Sequence, residues 1–146
     1  MTATLRPTSL RRRPGSRPGS GPGADRPAEI AVCPVARLIP GRGVAALLPD
    51  GRQVAVYKID DDEVRAFCNI DPVARAAVVS RGLVGDRAGE PAVISPIGKQ
   101  AYALADGRGL DDPSHGLSVF PARVAADGTV FVATQPAVRH PRVIAA

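Results

Sequence analysis

The sequence predicts an all-β domain, a small sandwich or barrel of about eight to ten strands, preceded by a disordered arm. Three observations carry this expectation. From Ile30 onward, short apolar runs alternate with Gly, Pro and Asp punctuation, the pattern of many short strands. No stretch keeps apolar residues at helical spacing over three turns. The aromatic rings Tyr57, Phe67, Tyr102, Phe120 and Phe131 all lie between positions 57 and 131, which places the core in the middle and later chain.

In chain order, residues 1–29 are rich in Arg, Pro, Gly and Ser and hold no aromatic residue. Such a segment buries too little to offset its ordering entropy, so it reads as a disordered tail. Val44–Leu48 and Val54–Ile59 flank Pro49-Asp50-Gly51-Arg52, where Pro sets φ and Gly accepts a positive one; this is a hairpin. The acidic turn Asp60–Glu63 leads to Val64–Cys68, which alternates like a half-buried strand. After Asn69-Ile70-Asp71-Pro72 the period is lost, and a loop is expected to about Gly89, with a short helix-like piece over Ala74–Ser80. Pro91–Ile94 and Gln100–Leu104 form a second hairpin, and Val119–Val124 and Thr129–Val132 a third around Asp127-Gly128. The ordered domain spans 30–133, and residues 134–146 read as a C-terminal tail.

The net charge of +5 depends on where it lies: residues 1–29 carry six Arg against Asp25 and Glu29, a balance of +4, whereas residues 30–146 carry 13 basic against 12 acidic residues. A duplex-binding domain clusters cations on one face; here Arg and Asp are interspersed, so nucleic acid is not an expected partner. No apolar run reaches the roughly 18–20 residues of a membrane span. Arg11-Arg12-Arg13 is followed by Pro14-Gly15-Ser16-Arg17-Pro18 where an export signal needs an apolar stretch. With two cysteines, Cys33 and Cys68, and no C-x-x-C pair, the expected compartment is the reducing cytoplasm.

Candidate chemistry is scarce. His115 stands in the polar turn Asp111–Gly116 and His140 in the C-terminal tail, neither a setting that holds a base in place. Ser114 next to His115 has no triad meaning, because triads are assembled in space. The run Asp60–Glu63 lacks the alternating ligands and glycine of a calcium loop. Gly41-Arg42-Gly43 has no strand-to-helix unit around it and is no phosphate cradle. Cys33 and Cys68 read as small buried hydrophobes. No catalytic residue is assigned.

The informative segments are the loops Asn69–Gly82 and Ser95–Tyr102. Asn69-Ile70-Asp71-Pro72-Val73, Ser80-Arg81-Gly82-Leu83, Ser95-Pro96-Ile97-Gly98-Lys99-Gln100-Ala101-Tyr102 and Asp106-Gly107-Arg108 resemble the two cluster-binding loops of Rieske proteins. The resemblance continues through Leu110-Asp111-Asp112-Pro113 and Phe120–Val124 to Phe131-Val132, and it implies a Rieske-like (ISP-type) fold of small antiparallel sheets. It places Asp71 and Ser95 at the two Cys ligand positions, and Val73 and Gly98 at the two His positions. A Rieske centre needs two thiolates on one iron and two imidazoles on the other, so the resemblance implies that no cluster or other cofactor is bound by this chain.

A Rieske-like domain with these loops and no ligands is similar to the small subunit of cytoplasmic NAD(P)H-dependent nitrite reductase. The likeness implies a non-catalytic subunit whose partner is the nitrite reductase large subunit, which carries FAD, sirohaem and an iron-sulfur cluster and reduces nitrite to ammonium. Without a metal, Pro72 and Pro96 and the side chains of Asn69, Asp71 and Ser95 are expected to cap the loops. Val73 and Ile97 then stand at the tips near Arg81, Lys99 and Gln100, a candidate partner interface. The competing readings are an independent adaptor of Rieske-like fold and a Rieske-type ferredoxin.

Overall fold

The computed structural model describes residues 28–140. Twelve strands form four antiparallel sheets, so the chain is all-β as expected. The largest sheet runs in the order β10 (Val119–Phe120), β4 (Glu63–Cys68), β3 (Gln53–Asp60), β2 (Gly43–Leu47). β2 and β3 are the expected hairpin, with Gly51 at φ +88° and Asp50 accepting the Arg52 amide at 3.0 Å. A second sheet runs β1 (Glu29–Pro34), β12 (Thr129–Ala133), β11 (Ala122–Val124); a third joins β7 (Leu83–Arg87), β8 (Glu90–Ile94) and β9 (Ala101–Ala103). The two-residue pieces β5 (Ile70–Asp71) and β6 (Ala76–Ala77) pair within the first loop.

β3 explains how these sheets share an interior. Val54, Ala55, Val56 and Tyr57 are all fully buried, an unbroken apolar run in place of the alternation of a half-exposed strand. Successive side chains point to opposite faces. Val54 and Val56 enter one core with Leu48 and Phe120 and with Val130 and Val132 of β12 in the facing sheet. Ala55 and Tyr57 enter the other with Phe67, Val79, Val93 and Tyr102. The Tyr57 and Phe67 rings meet edge to face at 6.4 Å.

Several elements differ from the sequence expectation. The loop read to Gly89 contains strand β7, whose residues are mostly exposed and so carry no period-two signal. Its hairpin turns on Ala88 and Gly89, both at positive φ, without the Asn-Gly or Asp-Gly that marks such turns in sequence. The helix-like piece at Ala74–Ser80 is instead β6 and a 3₁₀ turn, Val79–Arg81. Val119–Val124 is not one strand: Pro121 separates β10 from β11, which lie in different sheets.

Both ends of the described region reach into the stretches read as tails. Glu29 opens β1, and its carboxylate takes the Arg123 guanidinium, Nε at 2.9 Å, while that guanidinium lies 4.6 Å from the centre of the Phe131 ring. Residues 134–140 are tied back as well: Val119 and Val138 bond through their backbones, and His140 Nε2 sits 2.7 Å from the Asp106 carbonyl. The rest of both tails lies outside the described residues.

Candidate functional site: two hydrogen-bonded loops

The first loop, 69–82, is closed at its base by Asn69, which is 1% exposed. Its Oδ1 accepts the Ser80 amide at 2.8 Å and its Nδ2 donates to Gln53 Oε1 at 3.0 Å, so one side chain clasps both ends of the loop to the β3 strand. The Tyr57 hydroxyl donates to the Val79 carbonyl at 2.5 Å from below. Burial pushes the Tyr57 hydroxyl well above its usual range, so it stays a donor.

Asp71 organises the tip. Its side chain is fully buried, and Oδ1 accepts three bonds: the Val73 amide at 2.8 Å, the Ala74 amide at 3.2 Å and the Tyr102 hydroxyl at 2.8 Å. The two amides make an Asx-type turn around Pro72; the tyrosine comes from β9 and joins the first loop to the second. Burial, and then the bond to Asp71, hold the Tyr102 hydroxyl protonated far above its ordinary titration.

The second loop, 95–100, is secured mainly from outside itself. The Ser95 amide reaches the Gln100 carbonyl at 2.9 Å, Arg87 donates to the Lys99 carbonyl at 2.8 Å, and Asp111 accepts the Ala101 amide at 2.9 Å while pairing with Arg87 at 3.3 Å. Gly98 and Lys99 both adopt positive φ, +71° and +53°. The expected capping by Asn69 and Asp71 is present, but Ser95 does not cap. Its Oγ is buried without a hydrogen-bond partner, as is Asp71 Oδ2. Ser95 is 1% exposed.

These residues do not fit a [2Fe-2S] cluster. At the four positions that the resemblance to Rieske loops assigns to ligands stand a carboxylate whose Oδ1 is already bonded to three donors, an isopropyl group, a hydroxyl and a glycine hydrogen. Soft iron-sulfide centres take thiolate and imidazole, and Val73 and Gly98 have no donor atom to give.

Of the interface candidates, Val73 and Ile97 are exposed, at 42% and 49%, and so are Arg81 and Lys99. Arg81 and Lys99 line one cleft, with Leu83, Ile94, Ser95 and Pro96 between them. Val73, Ile97 and Gln100 lie outside that cleft, and Gln100 is half-buried. Leu83, 57% exposed, is the residue sequence reasoning passed over. Its signal was available in Arg81-Gly82-Leu83, an apolar side chain directly after a glycine that lets the chain approach β8 closely.

The histidines have definite places. His115 Nδ1 is 2.9 Å from Ser114 Oγ and 3.2 Å from Asp112 Oδ2. A triad needs the serine and the carboxylate on different ring nitrogens; here both are on the same one. His140 is held by Asp106 and packs against Gly116, contrary to the expectation for a tail residue. Cys33 and Cys68 are half-buried thiols that pack against the first core, and burial pushes the Cys33 thiol up.

Stacked antiparallel sheets with two hydrogen-bonded loops at one end define a Rieske-type domain, and the sequence profile of the Rieske-like [2Fe-2S] domain matches residues 30–133. The nitrite reductase (NADH) small subunit of Salmonella typhimurium is 41% identical over 100 residues, 68% of this chain and 91% of that protein. The chain therefore belongs to the family of nitrite reductase small subunits. A crystal structure from Mycobacterium tuberculosis, described as an NADH-dependent nitrite reductase small subunit, superposes with a TM-score of 0.71 at 52% identity, covering 78% of this chain and all of that one. A 105-residue stretch of the Klebsiella oxytoca nitrite reductase large subunit is also 39% identical, spanning 72% of this chain and 11% of that protein.

Proposed function

We propose that this chain is the non-catalytic small subunit of an NAD(P)H-dependent nitrite reductase in the cytoplasm, supporting a large subunit that carries FAD, sirohaem and an iron-sulfur cluster and reduces nitrite to ammonium. The observation that carries the reading is the bond from Tyr102 to Asp71. It holds the two loops together by hydrogen bonding where a Rieske protein uses metal, and it leaves Val73 and Ile97 facing solvent at the tips. A scaffold kept rigid without its redox centre serves recognition, since apolar side chains rimmed by charge suit a protein interface.

On this reading Val73, Arg81, Ile97, Lys99 and Gln100 contact the large subunit, and electrons pass wholly within that partner. The Klebsiella oxytoca large subunit supports the pairing, because a stretch like this domain occurs there within the large polypeptide itself. Co-expression with the cognate large subunit tests it. The expected result is a co-purifying complex with higher NADH-dependent nitrite reduction than the large subunit alone. Val73→Asp with Lys99→Glu is expected to abolish co-purification at an unchanged melting temperature. Unimpaired co-purification of that double variant would refute the loop interface, and no complex with the wild-type chain would refute the subunit role.

A further inference from the structure

The cations of this domain divide into two groups. Arg52, Lys58, Arg65, Arg87, Arg108 and Arg123 each have a carboxylate partner. Among the described residues, Arg37, Arg42, Arg75, Arg81, Lys99 and Arg139 have none. Four of these six belong to the loop end. Arg81 and Lys99 flank the cleft that holds Leu83, Arg42 bridges to Leu83 through the backbone, and Arg75 follows Val73 on the first loop. All four are exposed. None of the neighbouring carboxylates pairs with these four: Asp71 is buried under Tyr102, Asp111 pairs with Arg87, and Asp86 keeps its charge on β7 while accepting the Gly89 amide.

We infer that Arg42, Arg81 and Lys99 form a positive collar around the cleft that holds Leu83, with Arg75 and Ile97 on the two adjoining loops, and that it docks on an acidic surface with an apolar centre on the nitrite reductase large subunit. This rests on the small-subunit reading and adds the chemistry of the partner face. Unpaired cations around a dry patch act in two ways. Across the Debye length, roughly 8 Å at physiological salt, they attract an acidic partner and raise the encounter rate. On contact they form the polar rim, while Leu83 and Ile97, 57% and 49% exposed in the free chain, become the desolvated centre. Six of the described cations are paired internally, and four of the six left unpaired lie at the loop end, which concentrates the attraction there.

The test measures association of the full chain with the cognate large subunit, purified with its own cofactors, over a series of NaCl concentrations. The association rate is expected to fall steeply with salt. Arg42→Gln with Arg81→Gln and Lys99→Gln should lower it about ten- to a hundredfold at low salt and flatten its salt dependence. Arg37→Gln with Arg139→Gln removes unpaired cations away from the loops and should leave the rate and its salt dependence as in the wild type. Wild-type rate and salt slope in the loop variant, or an equal loss in the control pair, would overturn the collar. If in that case Val73→Asp with Ile97→Asp still destroyed the complex, the docking reading would stand without it. Failure of the wild-type chain to bind the large subunit would overturn both. Retention of a DNA duplex through these residues in place of the large subunit would overturn the partner assignment.

Discussion

Asp71 and Ser95 stand at matching stations on the two loops, both buried and both polar, yet they do opposite things for stability. Asp71 satisfies two amides and a tyrosine hydroxyl, whereas Ser95 Oγ is buried with no partner. Asp71→Ala strands three donors and is expected to cost about 3 kcal/mol. Ser95→Ala removes an unpaired hydroxyl and should fall within about 0.5 kcal/mol of the wild type or be stabilising. Urea unfolding of both variants measures this; equal losses would show that Ser95 is bonded after all. The two buried tyrosines give a pH prediction. Their folded pKa values lie above the unfolded value near 10. Their contribution is therefore fully present below about pH 10 and is lost as pH rises beyond it, because the unfolded chain releases those protons first. Tyrosinate absorbance should appear together with alkaline unfolding and not before it. A titration of Tyr57 and Tyr102 with tertiary structure intact would contradict their burial.

Among the elements, β7 has the most to teach, because it carries one glycine that its packing against β8 requires and one that it does not. Gly82, just before it, lies so close to the Ile94 carbonyl that an added Cβ collides with backbone, while Gly85 within it would place a Cβ 3.6 Å from the flexible Ile94 Cγ1. Gly82→Ala is therefore expected to destabilise by about 1–3 kcal/mol, through displacement of the junction between the first loop and β8. Gly85→Ala is expected to be neutral or to stabilise by about 0.5–1 kcal/mol. Thermal melts of the two variants separate close approach from chain entropy; the reverse order would disprove the packing described. At Gly43 the reason is also contact, since a Cβ there would meet the Ser80 carbonyl at 2.7 Å and the Tyr57 ring at 2.8 Å. These glycines let the first loop lie against both the β2–β3 hairpin and the β7–β8 hairpin, which puts Arg42, Arg81 and Leu83 at one end.

Across the whole molecule, the two cores are joined by the alternating side chains of a single strand, β3. Losing either core exposes one face of that strand, so unfolding should be a single cooperative transition, with near-ultraviolet circular dichroism and intrinsic tyrosine fluorescence superimposing along the denaturant axis. Two separated midpoints would mean that the loop-bearing sheet opens by itself. The same architecture braces both loops: Asn69 and Tyr57 tie the first loop to the central sheet, and Tyr102 carries that bracing to the second.

Much of this was legible in the residues themselves. Turn chemistry at Asp50-Gly51 and Asp127-Gly128 marks two hairpins, and the order of the loop motifs around Asp71-Pro72 and Ser95-Pro96 marks a Rieske-like scaffold. These are local or positional properties, and a chain states them one residue at a time. The tertiary structure alone decided which polar groups are paired. Ser95 reads like Asn69 as a capping residue, but its neighbours in space offer its hydroxyl no partner. β7 carried no period because its exposed face leaves nothing to alternate, and Glu29 and His140 looked like tail residues until Arg123 and Asp106 were brought to them. The basic residues are interspersed with acids along the chain, and only folding, by pairing six of the described cations with carboxylates, leaves Arg42, Arg75, Arg81 and Lys99 unpaired at the loop end.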